Sequence, residues 1–447
     1  MSANPDELRE RHKTAFPEWL ALYYERPIEL VRGEGIRVWD SEENEYLDFF
    51  GGIVTTISGY AIPEIVDAIK SQADEIVHSS TLYLIEKQVR LAEKLIELAP
   101  ISGDKKVFFV GSGTEANEAA LLFATTYRRS SEVVALRGSY HGRSFATMGV
   151  TGQSIWRPTS YSALDVAYLR NPYHLRCPLC KNEPECNLLC ADDLRELIET
   201  ETTGHVAACI AEPIQGVGGF IEAPLGYFER IKEILDETGI LLISDEVQTA
   251  FGRTGSHFWG IEAFDVEPDL VTMAKGLGNG LAMGAVMGRA EIVDSISPDL
   301  HISTFGGNHL ASAGALANLE YLLEHDLQRN AREVGGYLKG RLIEMAAKST
   351  VIGEVRGRGL MLGIELVGPN GEPDPVAAAR LLEACRERGV LVGKGGFKAN
   401  VIRISPPLTV TFETAKAAAD VLWEALVELS PPTRSSSRDK PTQPTTE

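Results

Sequence analysis

The sequence predicts an α/β protein: a mostly parallel β-sheet with helices on both faces, followed by a smaller α+β unit. Three observations predict it. From about residue 105 to 290, short apolar runs alternate with segments of helical spacing. Runs such as Ile240-Leu241-Leu242-Ile243 are continuously apolar, as a strand buried on both faces requires. Residues 351–429 then repeat the alternation on a smaller scale.

In chain order, residues 1 to about 35 form an arm, in which Pro17-Glu18-Trp19-Leu20 and Tyr23-Tyr24 suggest a short packed helix. A hairpin follows: Ile36 to Trp39, a turn over Asp40 to Asn44, then Tyr46 to Phe50. Pro63 to Ile76 and Glu86 to Leu98 carry apolar residues three and four apart and read as helices. Lys106 to Val110 reads as a strand, then a glycine loop and a helix from Glu115 to Arg128. Strands at Glu132–Leu136 and Val206–Ala211, a helix at Tyr227–Thr238, and strands at Ile240–Ile243, Asp269–Ala274 and Gly284–Gly288 continue the series. A long helical region runs from about Asn308 towards Lys348. It leads to strands at Val351–Arg356, Gly359–Leu366, Val390–Val392 and Val401–Ile404, with helices at Pro375–Arg388 and Glu413–Leu429. Gly393-Lys394-Gly395-Gly396 reads as a turn. The expected organisation is an arm and hairpin (1–59) joining the small domain, a large domain (60–325) with a cysteine-containing insert at about 171–192, a small domain (326–430), and a disordered Pro/Ser/Thr-rich tail (431–447).

The formal charge of −20, from 43 Lys+Arg against 63 Asp+Glu, excludes the basic footprint of a nucleic-acid binder. No apolar run reaches the roughly 18 residues of a membrane span, and the polar N-terminus has no signal-peptide core, so a cytoplasmic protein is expected. Six cysteines in 447 residues are too few for a disulfide scaffold.

Two predicted strands deliver a carboxylate and an amine: Asp245 follows Ile240–Ile243, and Lys275 follows Asp269–Ala274. Open α/β sheets place their chemistry at such strand ends. An aspartate paired with a lysine is what pyridoxal 5'-phosphate (PLP) asks for, the lysine for a Schiff base and the carboxylate to keep the pyridine nitrogen protonated. Alone, the two residues are common surface types. Gly111-Ser112-Gly113-Thr114-Glu115-Ala116-Asn117 joins a strand to a helix N-terminus, where free N–H groups and the helix dipole favour a phosphate. It lacks the Gly-Lys-Ser/Thr ending of a Walker loop.

With that loop, six further motifs follow in order: Ser-Tyr-His-Gly-Arg (139–143), Glu-Pro-Ile-Gln-Gly (212–216), Asp-Glu-Val-Gln (245–248), Phe-Gly-Arg-Thr-Gly (251–255), Ala-Lys-Gly (274–276) and Thr-Phe-Gly-Gly-Asn (304–308). Arg-Ile-Ser-Pro-Pro-Leu-Thr (403–409) ends the series. Together they resemble the class III (ω-amino acid) aminotransferases of PLP fold type I over about 39–408, which implies a seven-stranded-type sheet. The resemblance implies that Lys275 holds the cofactor and shuttles the substrate Cα proton, and that Asp245 pairs with the pyridine nitrogen. It also implies that Tyr140 and Val247 flank the ring, that Gln248 reaches its hydroxyl, that His141 belongs to the cofactor site, and that Ser112, Gly113 and Thr114 hold the phosphate. Thr304 would reach the phosphate of a neighbouring subunit, so a homodimer with shared sites is expected; whether dimers pair into a tetramer stays open.

On the substrate side the resemblance implies that Arg143 and Arg403 bind carboxylates, that Glu212 can pair with and mask Arg403, and that Ile53 forms an apolar wall. The expected reaction moves an amino group from an ω-amino acid such as β-alanine, 3-aminoisobutyrate or 4-aminobutyrate to pyruvate, glyoxylate or 2-oxoglutarate. Alanine–glyoxylate-type, ornithine-type and racemase outcomes fit the same motifs.

Two departures stand out. Gly59-Tyr60-Ala61-Ile62-Pro63 replaces the Gly-His-x-His-Pro common in the family, near the site entrance. Cys177, Cys180, Cys186 and Cys190, spaced C-x2-C-x5-C-x3-C, can bind structural zinc or an iron–sulfur cluster, act as a metal or redox sensor, or remain thiols of a surface loop.

Overall fold

The computed structural model describes residues 5–20, 22–180, 186–298 and 301–429; the predicted tail at 431–447 lies outside them. Its central element is a seven-stranded sheet in the order Lys105–Val110, Gly284–Arg289, Leu270–Met273, Leu241–Asp245, Ala208–Ala211, Glu132–Leu136, Asp165–Leu169. Gly284–Arg289 runs antiparallel to both neighbours, and every other pair is parallel.

The apolar runs are buried on both sides, and successive residues feed two separate cores. Val133, Ala135, Ile210, Leu241 and Ile243 pack with Ala120 and Phe123 of helix Gly113–Arg128. Val134, Leu136, Cys209 and Leu242 pack with Leu194, Leu197, Ile231 and Ile234 of helices Leu189–Glu201 and Tyr227–Thr238. This is the period-2 geometry of a strand applied to a sheet covered on both faces.

A second, antiparallel sheet runs Ile352–Arg358, Met361–Leu366, Val401–Ile404, Gly393–Gly395. A third joins Leu30–Glu34, Arg37–Asp40 and Glu45–Asp48 to Val390–Leu391, so the N-terminal hairpin pairs directly with C-terminal chain. No helix among the described residues is long and apolar enough to cross a membrane.

Several local expectations are corrected. The arm's helix lies at Pro5–Ala15, upstream of Pro17-Glu18-Trp19-Leu20, which form a turn. The edge strand Asp165–Leu169 was not anticipated; only Ala167 and Leu169 are buried, so its apolar signal is short. The glycine stretch expected to turn supplies the strand Gly393–Gly395. Helix 308–348 is broken into His309–Glu324 and Leu327–Ala346 by Asp326, which adopts φ 48°.

Candidate active site

The C-terminal ends of the parallel strands open into one cavity of about 370 Å³. Ser112, Gly113, Thr114, Tyr140, His141, Asp245, Val247, Gln248 and Lys275, the cofactor residues expected from sequence other than Thr304, all line it, as does Glu212. They come from separate loops because each follows a different strand end of the same sheet.

Asp245 ends its strand 3% exposed and has both oxygens occupied. Oδ2 accepts from Asn117 Nδ2 and lies against His141 Nδ1, each at 2.7 Å, and Oδ1 accepts the Val247 N–H at 3.1 Å. Asn117 also donates to the His141 carbonyl at 2.8 Å and accepts from Thr272 Oγ1 at 2.6 Å. The carboxylate is thus fixed by two partners distant in sequence and one N–H of its own loop. Asn117 and the link from His141 to Asp245 were not assigned from sequence. The available signal was a polar residue on the buried face of helix Gly113–Arg128, among Ala116, Ala119 and Ala120.

Lys275 projects from a backbone in the left-handed region, φ 42°, which an L-residue adopts at a cost that surrounding structure must offset. Asn318 supplies the restraint: its Nδ2 donates to the carbonyls of Gly276 and Leu277 at 2.8 and 3.2 Å. Desolvation pushes the Lys275 amine down to about 8; the Asp245 charge opposes this and the Arg403 charge adds to it. Such an amine is far more often neutral near physiological pH than an exposed lysine.

At the phosphate end, Ser112 caps helix Gly113–Arg128, its Oγ accepting the Glu115 N–H at 3.2 Å, while Glu115 Oε2 accepts the Gly111 N–H at 2.9 Å. The Gly113 and Thr114 N–H groups belong to the first helical turn, where the helix itself offers no acceptor. Neighbouring side chains press close enough here that two positions have little or no room for a Cβ. A Cβ on Gly113 would meet Val247 Cγ1 at 3.1 Å, and one on Gly142, at φ +145°, would meet Thr147 and Thr114 hydroxyls at 2.6 and 2.9 Å. Gln248 Oε1 and His141 Nε2 are buried without partners. A buried amine, an occupied carboxylate, a helix N-terminus and orphaned polar atoms around one cavity fit PLP.

The family comparison agrees. Residues 23–426 match the family Aminotransferase class-III. The chain belongs to the class III, PLP-dependent aminotransferases. Alanine–glyoxylate aminotransferase 2 homolog 2, mitochondrial, from Arabidopsis thaliana is 41% identical to this aminotransferase, with 94% of this chain and 86% of the relative covered. A leucine/methionine racemase from Thermococcus litoralis is 38% identical, with 95% and 96% covered. Among solved structures, a PLP-bound amine transaminase from an uncultivated Pseudomonas species superimposes with a TM-score of 0.86 at 30% identity, with 93% and 99% covered.

The aminotransferase's substrate-side residues are placed differently. Glu212 is 4% exposed; its Oε1 accepts the Tyr140 N–H at 2.9 Å and its Oε2 the Gly216 N–H at 2.8 Å. Burial raises its pKa, with the Asp245 charge adding and His141 and the two N–H donors opposing. The expected pairing with Arg403 is not formed among the described residues. Arg403 is instead boxed by aromatic rings, its guanidinium carbon 4.9 Å from the Phe50 centroid and 5.5 Å from that of Phe220. Its Nη1 reaches the Gly216 carbonyl at 3.5 Å, and Nε is buried without a partner. Tyr23 from the arm stacks on Phe50, bonds the Lys394 backbone through its hydroxyl and lies beside Arg403, so the arm closes this side.

Arg143 is exposed and adds a charge beside Tyr140, while Ile53, half exposed, stands outside the cavity wall. Thr304 is exposed and does not line its own chain's cavity. Phe-Gly-Arg-Thr-Gly has a role that its spacing did not reveal. Fully buried Arg253 donates Nη1 to the carbonyls of Leu360, at 3.2 Å, and Pro406, tying the loop after Asp245 to the sheet that carries Arg403.

The cysteine insert also departs from a surface loop: Cys177, Cys180 and Cys190 are buried, and Cys190 lies in the first turn of helix Leu189–Glu201. Nonpolar neighbours such as Leu194 and Tyr227, which share their core, are contributed from outside the insert's Pro-rich segment.

Proposed function

We propose that this aminotransferase takes the amino group from an ω-amino acid of the β-alanine, 3-aminoisobutyrate or 4-aminobutyrate type and delivers it to a 2-oxo acid, pyruvate, glyoxylate or 2-oxoglutarate. The observation that carries the reading is Arg403: a buried guanidinium beside Lys275, boxed by Phe50 and Phe220, with its Nε unsatisfied. A planar cation held this way suits bidentate capture of a carboxylate. In this reading Arg403 orients the 2-oxo acid carboxylate, and Arg143 receives the donor's distal one. Glu212 lends its charge to Arg403 while a donor without a nearby carboxylate is bound, and Ile53, outside the cavity's own lining, supplies an apolar wall to a substrate that reaches beyond it.

When bound, PLP supplies a ring that takes up the electron pair left as the substrate Cα loses its proton. Asp245, fixed by Asn117 and His141, would face its ring nitrogen, and Tyr140 and Val247 would flank the ring. Gln248 would reach its hydroxyl, and Ser112, Gly113 and Thr114 would hold its phosphate. Lys275 Nζ, whose pKa burial lowers to about 8, accepts the Cα proton in its neutral form and returns it. Donor product leaves before acceptor binds, giving ping-pong kinetics.

Residues 60–325 would form the cofactor domain, with 326–430 and the 1–59 arm presenting Arg403. A homodimer is proposed because Leu82, Tyr83, Leu84 and Phe305 expose a run of apolar surface next to the exposed Thr304, which would then serve the neighbouring site.

The test mixes PLP-loaded protein with single amines and no acceptor, following the visible spectrum and the carbonyl product. β-Alanine or 4-aminobutyrate is expected to give one product per site. Equal conversion of an aliphatic amine lacking any carboxylate overturns the reading. A second reading, α-amino-acid racemisation, draws support from the likeness to the Thermococcus racemase; loss of optical purity without carbonyl product would select it.

A further inference from the structure

Outside the active site, a group of metal-ligating side chains lies, among the described residues, where the 3-10 turn His174–Arg176 meets the start of helix Leu189–Glu201. His174 Nδ1, Cys180 Sγ and Cys186 Sγ all lie within 4.8 Å of one another. His174 Nδ1 is 3.4 Å from Cys180 Sγ, and Cys180 Sγ is 3.9 Å from Cys186 Sγ. Cys190 neighbours Cys186 and Cys177 neighbours Cys180, both lying outside the 4.8 Å group. None is recorded in a disulfide.

The spacing decides which metal chemistry suits these donors. Tetrahedral bonds of about 2.3 Å to sulfur and about 2.0 Å to nitrogen set two sulfurs about 3.8 Å apart and sulfur and nitrogen about 3.5 Å apart. The observed 3.9 and 3.4 Å match that edge geometry. A [4Fe–4S] cluster, in contrast, spreads its cysteines over separate irons and holds their sulfurs farther apart. A mixed nitrogen and thiolate set around one point is the donor chemistry of zinc.

We propose that His174, Cys180 and Cys186 bind one zinc ion, with Cys190, the neighbour of Cys186, drawn in as the fourth ligand on binding. Binding displaces the protons of the three thiols, which leave as thiolates form three Zn–S bonds, and His174 adds its neutral ring nitrogen. The ion clamps the first turn of helix Leu189–Glu201 to the 174–180 turn. That turn is already docked on the second sheet. Arg176 Nε donates to Glu365 Oε1 at 2.8 Å, and Tyr173 donates to Glu365 Oε2, which also meets Arg356 at 2.7 Å. Glu365 pairs in register with Val401, two residues before Arg403. The site is structural: nothing in it reaches the catalytic cavity, and it stands whether or not the substrate reading holds.

The full-length holoenzyme, purified under reducing conditions, is analysed for metals, stripped with a chelator, and titrated with zinc and with Co2+. Expected are one zinc per chain and, with Co2+, the ligand-field bands of a tetrahedral thiolate site. His174→Ala is expected to weaken zinc binding at least about tenfold. Cys180→Ser should abolish it, with circular dichroism checking the fold. If Cys180→Ser fails to fold, the His174→Ala titration decides alone. Absence of bound metal, iron in place of zinc, a Cys180–Cys186 disulfide in the reduced preparation, or undiminished affinity in His174→Ala would each overturn the proposal.

Discussion

At the floor of the cavity Asp245 has both oxygens occupied, by Asn117 and His141 on one side and the Val247 N–H on the other. On the substrate side Arg403 keeps Nε without a partner, and Arg143 and Ile53 face solvent. The floor performs chemistry common to all substrates and is pre-organised within one chain, so its groups need no rearrangement when charge develops. In the proposed function the other side must accept different carboxylates, and a guanidinium satisfied by protein would have to surrender bonds first. In that reading the free Arg403 Nε is held ready for a substrate carboxylate, while the orphaned Gln248 Oε1 and His141 Nε2 of the floor await the cofactor.

Breaking the floor should have the largest effect. Lys275→Ala removes the group proposed to hold and move the proton, and kcat is expected to fall on the order of 10⁴-fold or more. Transient kinetics with β-alanine, alongside the visible spectrum of the reconstituted protein, would measure it. Retained turnover would remove Lys275 from the mechanism. Arg403→Ala should act on the other end, raising KM for the 2-oxo acid about 10- to 100-fold while the donor half-reaction changes less. An equal loss in both half-reactions would mean that Arg403 supports the fold more than the acceptor.

Asn117→Ala sharpens the contrast, because it leaves Asp245, His141 and Lys275 in place and removes the hydrogen bond to Asp245 Oδ2, together with those with the His141 carbonyl and Thr272 Oγ1. A lost bond to a buried carboxylate costs about 1–3 kcal/mol, so kcat is expected to drop about 5- to 100-fold, with KM for the acceptor nearly unchanged. Steady-state kinetics that showed the reverse would place Asn117 on the substrate side.

How legible this was depended on the range of each interaction. Strand ends at Asp245 and Lys275 follow from contiguous apolar runs, and the loop at 111–117 from a local pattern, so sequence alone placed them. Asn117 partners Asp245 across 128 residues, and no periodicity carries that pairing. The edge strand Asp165–Leu169 was missed because only two of its five residues are buried. Composition misread the cysteine insert for a related reason. Proline and polar residues describe its local chain, while burial of Cys177, Cys180 and Cys190 comes from helices packed around it.

The smallest expected effect is a pH dependence that separates the two ends without mutation. With the Lys275 pKa lowered from 10.5 to about 8, the folded apo-protein sheds this proton well before the unfolded chain does. Between about pH 8 and 10.5 the unfolded state binds more protons at this position, so this residue's contribution to stability rises with pH across that window. Glu212 behaves oppositely: its raised pKa means that the folded state holds the extra proton, so its contribution is present at acid pH and is lost as pH rises through the folded value. The kinetic counterpart is simpler to read. Recapture of PLP by apo-protein requires the neutral amine, and its rate should climb through an inflection near pH 8. An inflection above pH 10 would mean that the cavity does not desolvate Lys275, and the pre-organisation argued for the floor would fail at its central residue.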